Sequence, residues 1–142
     1  IARGADKADF AKQLGAHHYV DSTAGPVAEA LQSLGGAKVV LATAGNSEAI
    51  ASTVDGLAPR GELVAVGATT DPMPISPSQL ILQGRLLRGC PFGTQDVQDT
   101  MTFAIRHDIR PLTETLPLSE ANTAYGKMMD GSARFRMVLT PN

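Results

Sequence analysis

Apolar positions along the chain come in short blocks that alternate between a helical and an extended rhythm. Residues 6–14 set Phe10, Ala11 and Leu14 on one helical face and stop at Gly15, a common helix exit. Residues 18–21 are a short strand candidate. Pro26 suits a first helical position, and Val27, Ala30, Leu31 and Leu34 then recur at helical spacing before Gly35 and Gly36. Residues 38–42 (Lys-Val-Val-Leu-Ala) are apolar without alternation, the pattern of a parallel strand covered on both faces. Ser47 is placed to cap a helix that buries Ile50, Val54 and Leu57. Pro59-Arg60-Gly61 turns the chain into a second buried-strand run at 62–66, Ser76-Pro77 opens a short helix to Leu82, and 85–90 reads as a further strand. Residues 94–107 place Val97, Met101, Ala104 and Ile105 on one helical face. After Ile109 the rhythm changes, with Pro111 and Pro117 as interruptions. A helix over 119–130, closed by Gly131, and a strand over 135–140 then finish the chain.

This succession predicts an α/β fold with right-handed crossovers and a doubly wound parallel sheet. Residues 1–108 form its main body, and 109–142 form a separate helix-strand return segment. Ligands of such folds bind beyond the carboxyl ends of the strands. Those ends fall at Ala2-Arg3-Gly4, Asp21-Ser22, Thr43-Ala44-Gly45, Val66-Gly67-Ala68 and 89–93. All five carry Gly, Ala or Ser, which let a ligand approach the main chain, although βα loops are rich in Gly in any fold of this kind.

Composition narrows the function classes. The 142 residues are 43% hydrophobic and 18% charged, as in an ordinary globular domain. The formal charge of −2 leaves no basic surplus for nucleic acid and no polybasic membrane patch. Basic residues gather only in pairs (Arg85 with Arg88, Arg134 with Arg136), which suits one phosphate group better than a polymer. No apolar run approaches the roughly 20 residues of a membrane span, and no signal peptide opens the chain. The single cysteine, Cys90, excludes an internal disulfide and fits a reducing, cytoplasmic setting. At a strand end it suits packing better than nucleophilic chemistry. His17 and His18 are neighbours that a strand would point to opposite sides, and His107 suits a helix end. No Cys/His cluster has zinc-ligand spacing, so no metal residue is expected within the chain.

Four stretches carry a resemblance in register over essentially the whole chain: ARGADKADFAKQLGAHHYVDS, LAPRGELVAVGA, LLRGCPFGT and LPLSEANTAYGKMMDGSARFRMVLT. Together they resemble the cofactor-binding domain of zinc-type alcohol dehydrogenases of the medium-chain dehydrogenase/reductase superfamily, which includes the cinnamyl alcohol dehydrogenases. The resemblance implies a Rossmann-type domain without its first strand and Gly-rich turn, and hence a gap at the centre of the sheet. It implies a parent enzyme that oxidises an alcohol to an aldehyde or ketone, passing hydride to NAD or NADP while zinc activates the oxygen. The catalytic and zinc-ligating residues would lie outside these 142 residues, which alone are expected to be inactive and to bind cofactor poorly.

Site residues follow from the same resemblance. Ala2 stands where NAD-using members carry a ribose-binding Asp. With Arg3, Gly4 and Lys7 beside it, the position favours the 2′-phosphate of NADP over NAD. Thr43 and Ala44 match the position beside the adenine-side ribose. Val66, Gly67 and Ala68 match the loop whose main chain meets the nicotinamide carboxamide, and Cys90 and Phe92 match its second contact. Arg136 matches an arginine that reaches the pyrophosphate, a task suited to a fork of donors. Partners implied are a small alcohol or aldehyde substrate and a second copy of the chain, in a homodimer or homotetramer paired through the edge strand near 86–90. Two rivals remain: a zinc-free quinone reductase of the same superfamily, and a non-enzymatic nucleotide-sensing module. The C-terminal segment argues against the sensor.

Overall fold

A computed structural model describes residues 1–91 and 93–141. The chain divides into two compact units, residues 1–91 and 92–142, each taken by itself below.

The first unit is built on three parallel strands, β1 (Ala37–Ala42), β2 (Leu57–Ala65) and β3 (Leu86–Gly89), in that spatial order. Val40 pairs with Leu63 and Ala42 with Ala65, and β2 continues the ladder through Leu63 with Leu87. Paired positions in a parallel sheet share a face. Val40, Ala42 and Leu63 therefore lie together, and they are buried with Ile50, Val54 and Leu57 in one core. The crossovers supply the cover. Between β1 and β2 run helix α3 (Ser47–Ala51) and a 3-10 turn (Val54–Gly56); between β2 and β3 runs α4 (Pro77–Ile81). Helix α2 (Val27–Ser33) precedes β1 and adds Leu31 to the edge of the core.

The opposite face differs from expectation. The unalternated run in β1 predicted cover on both sides, yet Val39 and Leu41 are 59% and 63% exposed and Leu86 on β3 is 56% exposed. The three share one face in register, where only the Arg88–Glu62 ion pair at 3.0 Å crosses the strands among the described residues. All the crossovers named above contribute to the other side.

The expected helix at 6–14 is a 3-10 turn (Ala5–Lys7) running into α1 (Ala8–Gln13). The strand expected at 18–21 shrinks to one parallel bridge, Ala2 with Asp21, outside the three-stranded sheet. With no strand there, His17 and His18 border one open hollow together with Lys12 and Tyr19, rather than dividing between two sides of a sheet. No residue from 1 to 26 is buried.

Arg85 ties the crossovers down. Its side chain is 8% exposed; it donates to Asp55 Oδ1 at 2.8 Å and to the carbonyls of Gln79 and Leu57, each at 3.1 Å. Gln79 also donates to Asp55 Oδ2 at 2.8 Å, and Gln32 donates to the carbonyls of Asp55 and Leu57. The phosphate reading of the Arg85–Arg88 pair is thereby corrected. Arg85 is spent on α4 and on the turn before β2, and Arg88 faces Glu62.

The second unit contains helix α5 (Thr94–Arg106), then β4 (Thr113–Pro117), a 3-10 turn, α6 (Ala121–Met129) and β5 (Arg136–Thr140). Strands β4 and β5 pair in parallel from Thr113–Arg136 to Pro117–Thr140. The return segment is thus strand-helix-strand, where the sequence suggested helix and strand only. Pro111 and Pro117 were read as breaks, but Pro117 is the last residue of β4. Glu114 pins this unit. It accepts from the Lys127 ammonium of α6 and from the Arg134 main-chain N–H. The Lys127 bond first, then the Arg134 N–H, holds its carboxyl below the usual range. Asp130 accepts from Ser132, which lowers its carboxyl in the same direction.

Candidate functional site

Strands β1 and β2 end side by side, and their following loops form one edge. Val66 N–H and Gly67 N–H both donate to the Ala42 carbonyl at 2.9 Å. Gly67 is where the loops touch. A Cβ there would lie 2.6 Å from the Ala44 carbonyl carbon and 2.8 Å from that of Thr43, and nearer still to the Ala44 oxygen. Only a residue without a side chain fits between the two main chains. Cys90 joins the same edge from β3, its N–H donating to the Ala65 carbonyl at 3.0 Å. Thr43, Ala44, Val66, Ala68 and Cys90 are exposed and Gly67 is half-buried, so these residues border solvent at the carboxyl end of the sheet. Phe92 lies outside the described residues.

The loops are held from behind by residues that the sequence pattern misassigned. Asn46, not Ser47, caps α3: its Oδ1 accepts from the Ala49 N–H at 2.8 Å. Ser47 is the first helical residue and is buried, and its hydroxyl donates to the Asp71 carbonyl at 2.7 Å. That bond ties the loop after β2 to the helix after β1. The adjacent pair Asn-Ser offered two capping residues, and sequence alone cannot say which side chain faces the helix.

Ala2, Arg3 and Gly4 form a second element, bonded to residues 19–23. Ala2 N–H donates to the Val20 carbonyl at 3.1 Å, and Ser22 N–H to the Ala2 carbonyl at 2.9 Å. Asp21 Oδ1 accepts from Gly4 N–H at 2.8 Å, and the Tyr19 hydroxyl donates to the Gly4 carbonyl at 2.5 Å. Gly4 has φ +83°, a conformation natural to glycine. Lys7 Nζ donates to the Arg3 carbonyl at 2.9 Å and stands 3.8 Å from Asp6, which leaves Arg3 with the freer charge at this turn. Hydrogen bonds from Thr23 and then Gly4 hold the Asp21 carboxyl below its ordinary range. Burial, then the Asp21 and Asp6 charges, pushes the Tyr19 phenol up, so it remains a donor at neutral pH. Tyr19 was not foreseen; Asp21-Ser22-Thr23 did carry a turn signal.

Arg136 is exposed at the start of β5 in the second unit, with its N–H on the Leu112 carbonyl at 3.2 Å. Arg134, paired with Arg136 in the sequence, precedes the strand and caps the 131–133 turn, its guanidinium donating to those three carbonyls. Among the described residues no group of three or more His, Cys, Asp or Glu could hold a metal ion. No helix among them is long and apolar enough to cross a membrane.

The family profile described as zinc-binding dehydrogenase matches residues 1–106. The chain is 36% identical over 141 residues to the alcohol dehydrogenase patD of Penicillium expansum and 35% identical over 141 residues to the alcohol dehydrogenase notN of an Aspergillus species. Each alignment takes in 99% of this chain but 41% of the relative, so the chain spans about two fifths of their length. The fold matches that of benzyl alcohol dehydrogenase from Acinetobacter calcoaceticus with a TM-score of 0.85 at 20% identity, covering 99% of this chain and 41% of that one.

Proposed function

The chain belongs to the zinc-binding dehydrogenase family, and from that premise we propose that it supplies the dinucleotide-binding part of an NAD(P)-dependent alcohol dehydrogenase. The observation that carries this reading is the fusion of two loops at Gly67. Thr43, Ala44, Val66, Gly67, Ala68 and Cys90 present a rim of main-chain groups with no side chain in the way at its centre. Such a rim suits a flat ligand held by its amide. Residues 66–68 and 90 hold the nicotinamide carboxamide, and so fix which face of the ring meets the substrate. Residues 43–44 and 2–4 hold the ribose at the adenosine end. Arg136 supplies a guanidinium for the pyrophosphate. The cofactor, when bound, accepts or returns the hydride.

At the adenosine end Arg3 is exposed and Ala2 brings no carboxylate, which favours NADP over NAD. Residues 1–108 act as the cofactor-binding domain and 109–142 as its return segment. No residue of the chain is assigned to proton transfer or to zinc; in this reading other parts of the parent enzyme hold the zinc. The substrate is a small alcohol or aldehyde. The protein works in the cytoplasm as a homo-oligomer paired through β3, whose residues are all exposed.

The test is a zinc determination and an activity assay on the product of the native gene, with NAD and NADP tried separately against primary alcohols and aldehydes. About one or two zinc ions per chain and alcohol-dependent reduction of one dinucleotide are expected. Dinucleotide binding without turnover of any alcohol or aldehyde would replace the enzyme reading with a nucleotide sensor. Turnover of quinones by a zinc-free protein would move it to the quinone reductases.

A further inference from the structure

No side chain from 1 to 26 is buried, and the polar bonds that hold Gly4 converge on Asp21. Asp21 Oδ1 accepts three: Gly4 N–H at 2.8 Å, Thr23 N–H at 2.9 Å and the Thr23 hydroxyl at 2.7 Å. The two bonds from Thr23 lock the carboxylate in place, and the third transmits that position to Gly4. Tyr19 takes the other end of the same residue through the Gly4 carbonyl. Gly4 has the widest choice of conformations of any residue, so a fixed Gly4 needs such outside restraint.

We infer that Asp21 is a positioning residue for dinucleotide recognition: by clamping Gly4 it sets the direction in which Arg3 leaves the main chain towards the ribose, without itself touching the ligand. This rests on the assignment of residues 2–4 to the adenosine ribose made above. The carboxylate supports the turn through Oδ1, which takes all three bonds. Charge-assisted bonds of this kind are stronger than neutral ones, and they hold the Asp21 carboxyl below its ordinary range.

The experiment uses the product of the native gene and two kinds of probe. One is the adenosine half, as AMP and adenosine 2′,5′-bisphosphate, taking whichever binds more tightly; the other is nicotinamide mononucleotide. In Asp21→Ala the dissociation constant of the adenosine probe and the KM of the dinucleotide rise about tenfold, the scale of one lost charged hydrogen bond. The kcat and the affinity for nicotinamide mononucleotide stay at the wild-type values. Asp21→Asn recovers most of the loss, since its amide oxygen accepts the same Gly4 N–H. A fall in kcat together with weaker nicotinamide mononucleotide binding would overturn the proposal, because that is general damage to the fold. Arg3→Ala separates the two levels of the argument. If it weakens the adenosine probe while Asp21→Ala does not, the clamp is wrong and the ribose assignment stands. If neither substitution moves the adenosine probe, the ribose assignment fails and takes the clamp with it.

Discussion

Replacing Gly67 by alanine tests the most demanding contact in the structure. The added Cβ would meet main-chain carbon atoms at 2.6 and 2.8 Å, where ordinary contact begins at 3.4 Å. The two loops must therefore part by at least 0.6–0.8 Å along those directions, the differences between these distances. Neither neighbour is the end of a flexible side chain, so no rotamer change relieves the clash. Parting also stretches the two bonds that Val66 and Gly67 share on the Ala42 carbonyl, now 2.9 Å each. Overpacking of this sort costs about 1–3 kcal/mol, and a weakened hydrogen bond adds about 1 kcal/mol. Taking roughly 3 kcal/mol in all, the melting temperature should fall by about 6–12 °C, at about 2–4 °C per kcal/mol for a protein of this size or larger. Calorimetric unfolding of the native gene product gives the shift, and titration with the dinucleotide gives the accompanying loss of affinity. A Gly67→Ala protein that melts within about 2 °C of wild type would refute the reasoning, because the loops would then not be in contact there.

Substitutions at three further positions probe the scaffold. Arg85→Met keeps the apolar stem and removes the fork, taking its donor from the Gln79 carbonyl and leaving the Leu57 carbonyl with Gln32 alone; a loss of about 2 kcal/mol in urea unfolding is expected. The Asp55 partner adds little to that figure, being 56% exposed, and Arg85→Lys should recover only part, since an ammonium cannot span the same acceptors. Gly126→Ala in α6 meets open space and should stabilise the helix by about 0.5–1 kcal/mol, visible as a rise in melting temperature; a fall would mean that this helix face is covered. Glu114 has a depressed carboxyl pKa, so the stability it contributes is present above about pH 4.3, its unfolded value, and is lost as pH falls through the lower folded value. Glu114→Gln should therefore melt below wild type at pH 7, and the two should converge below about pH 4. A gap that widens in acid would contradict the sign.

Much of the framework was legible because it is periodic. The unbroken apolar runs at 38–42 and 62–66 marked β1 and the site end of β2, and their Gly- and Ala-rich exits marked the rim where the loops meet. Strand β4 escaped notice because it is only Thr113–Pro117 and is flanked by prolines. The turn chemistry of Pro111 spoke louder there than the alternation of Thr113, Glu114 and Thr115. The role of Arg85 was hidden for a different reason: its partner Asp55 lies 30 positions away, and a long-range pair leaves no local signal. At the turn of residues 2–4 the charge of Arg3 could be read directly, whereas Tyr19 and Asp21 act through main-chain atoms that sequence does not display. The same applies to Ser47, whose hydroxyl serves a loop 24 residues on.

The bare face of the three-stranded sheet has a thermodynamic consequence. Val39, Leu41 and Leu86 already stand in water when these residues are folded, so unfolding adds little to their hydration. The heat-capacity increment of unfolding comes mainly from newly wetted apolar area, about 12–15 cal/mol/K per residue in ordinary domains. These three side chains contribute less to that increment than they would in a sheet covered on both sides, which flattens the stability curve by that much. Anything that later covers Val39 and Leu41 would restore the missing increment along with the extra stability.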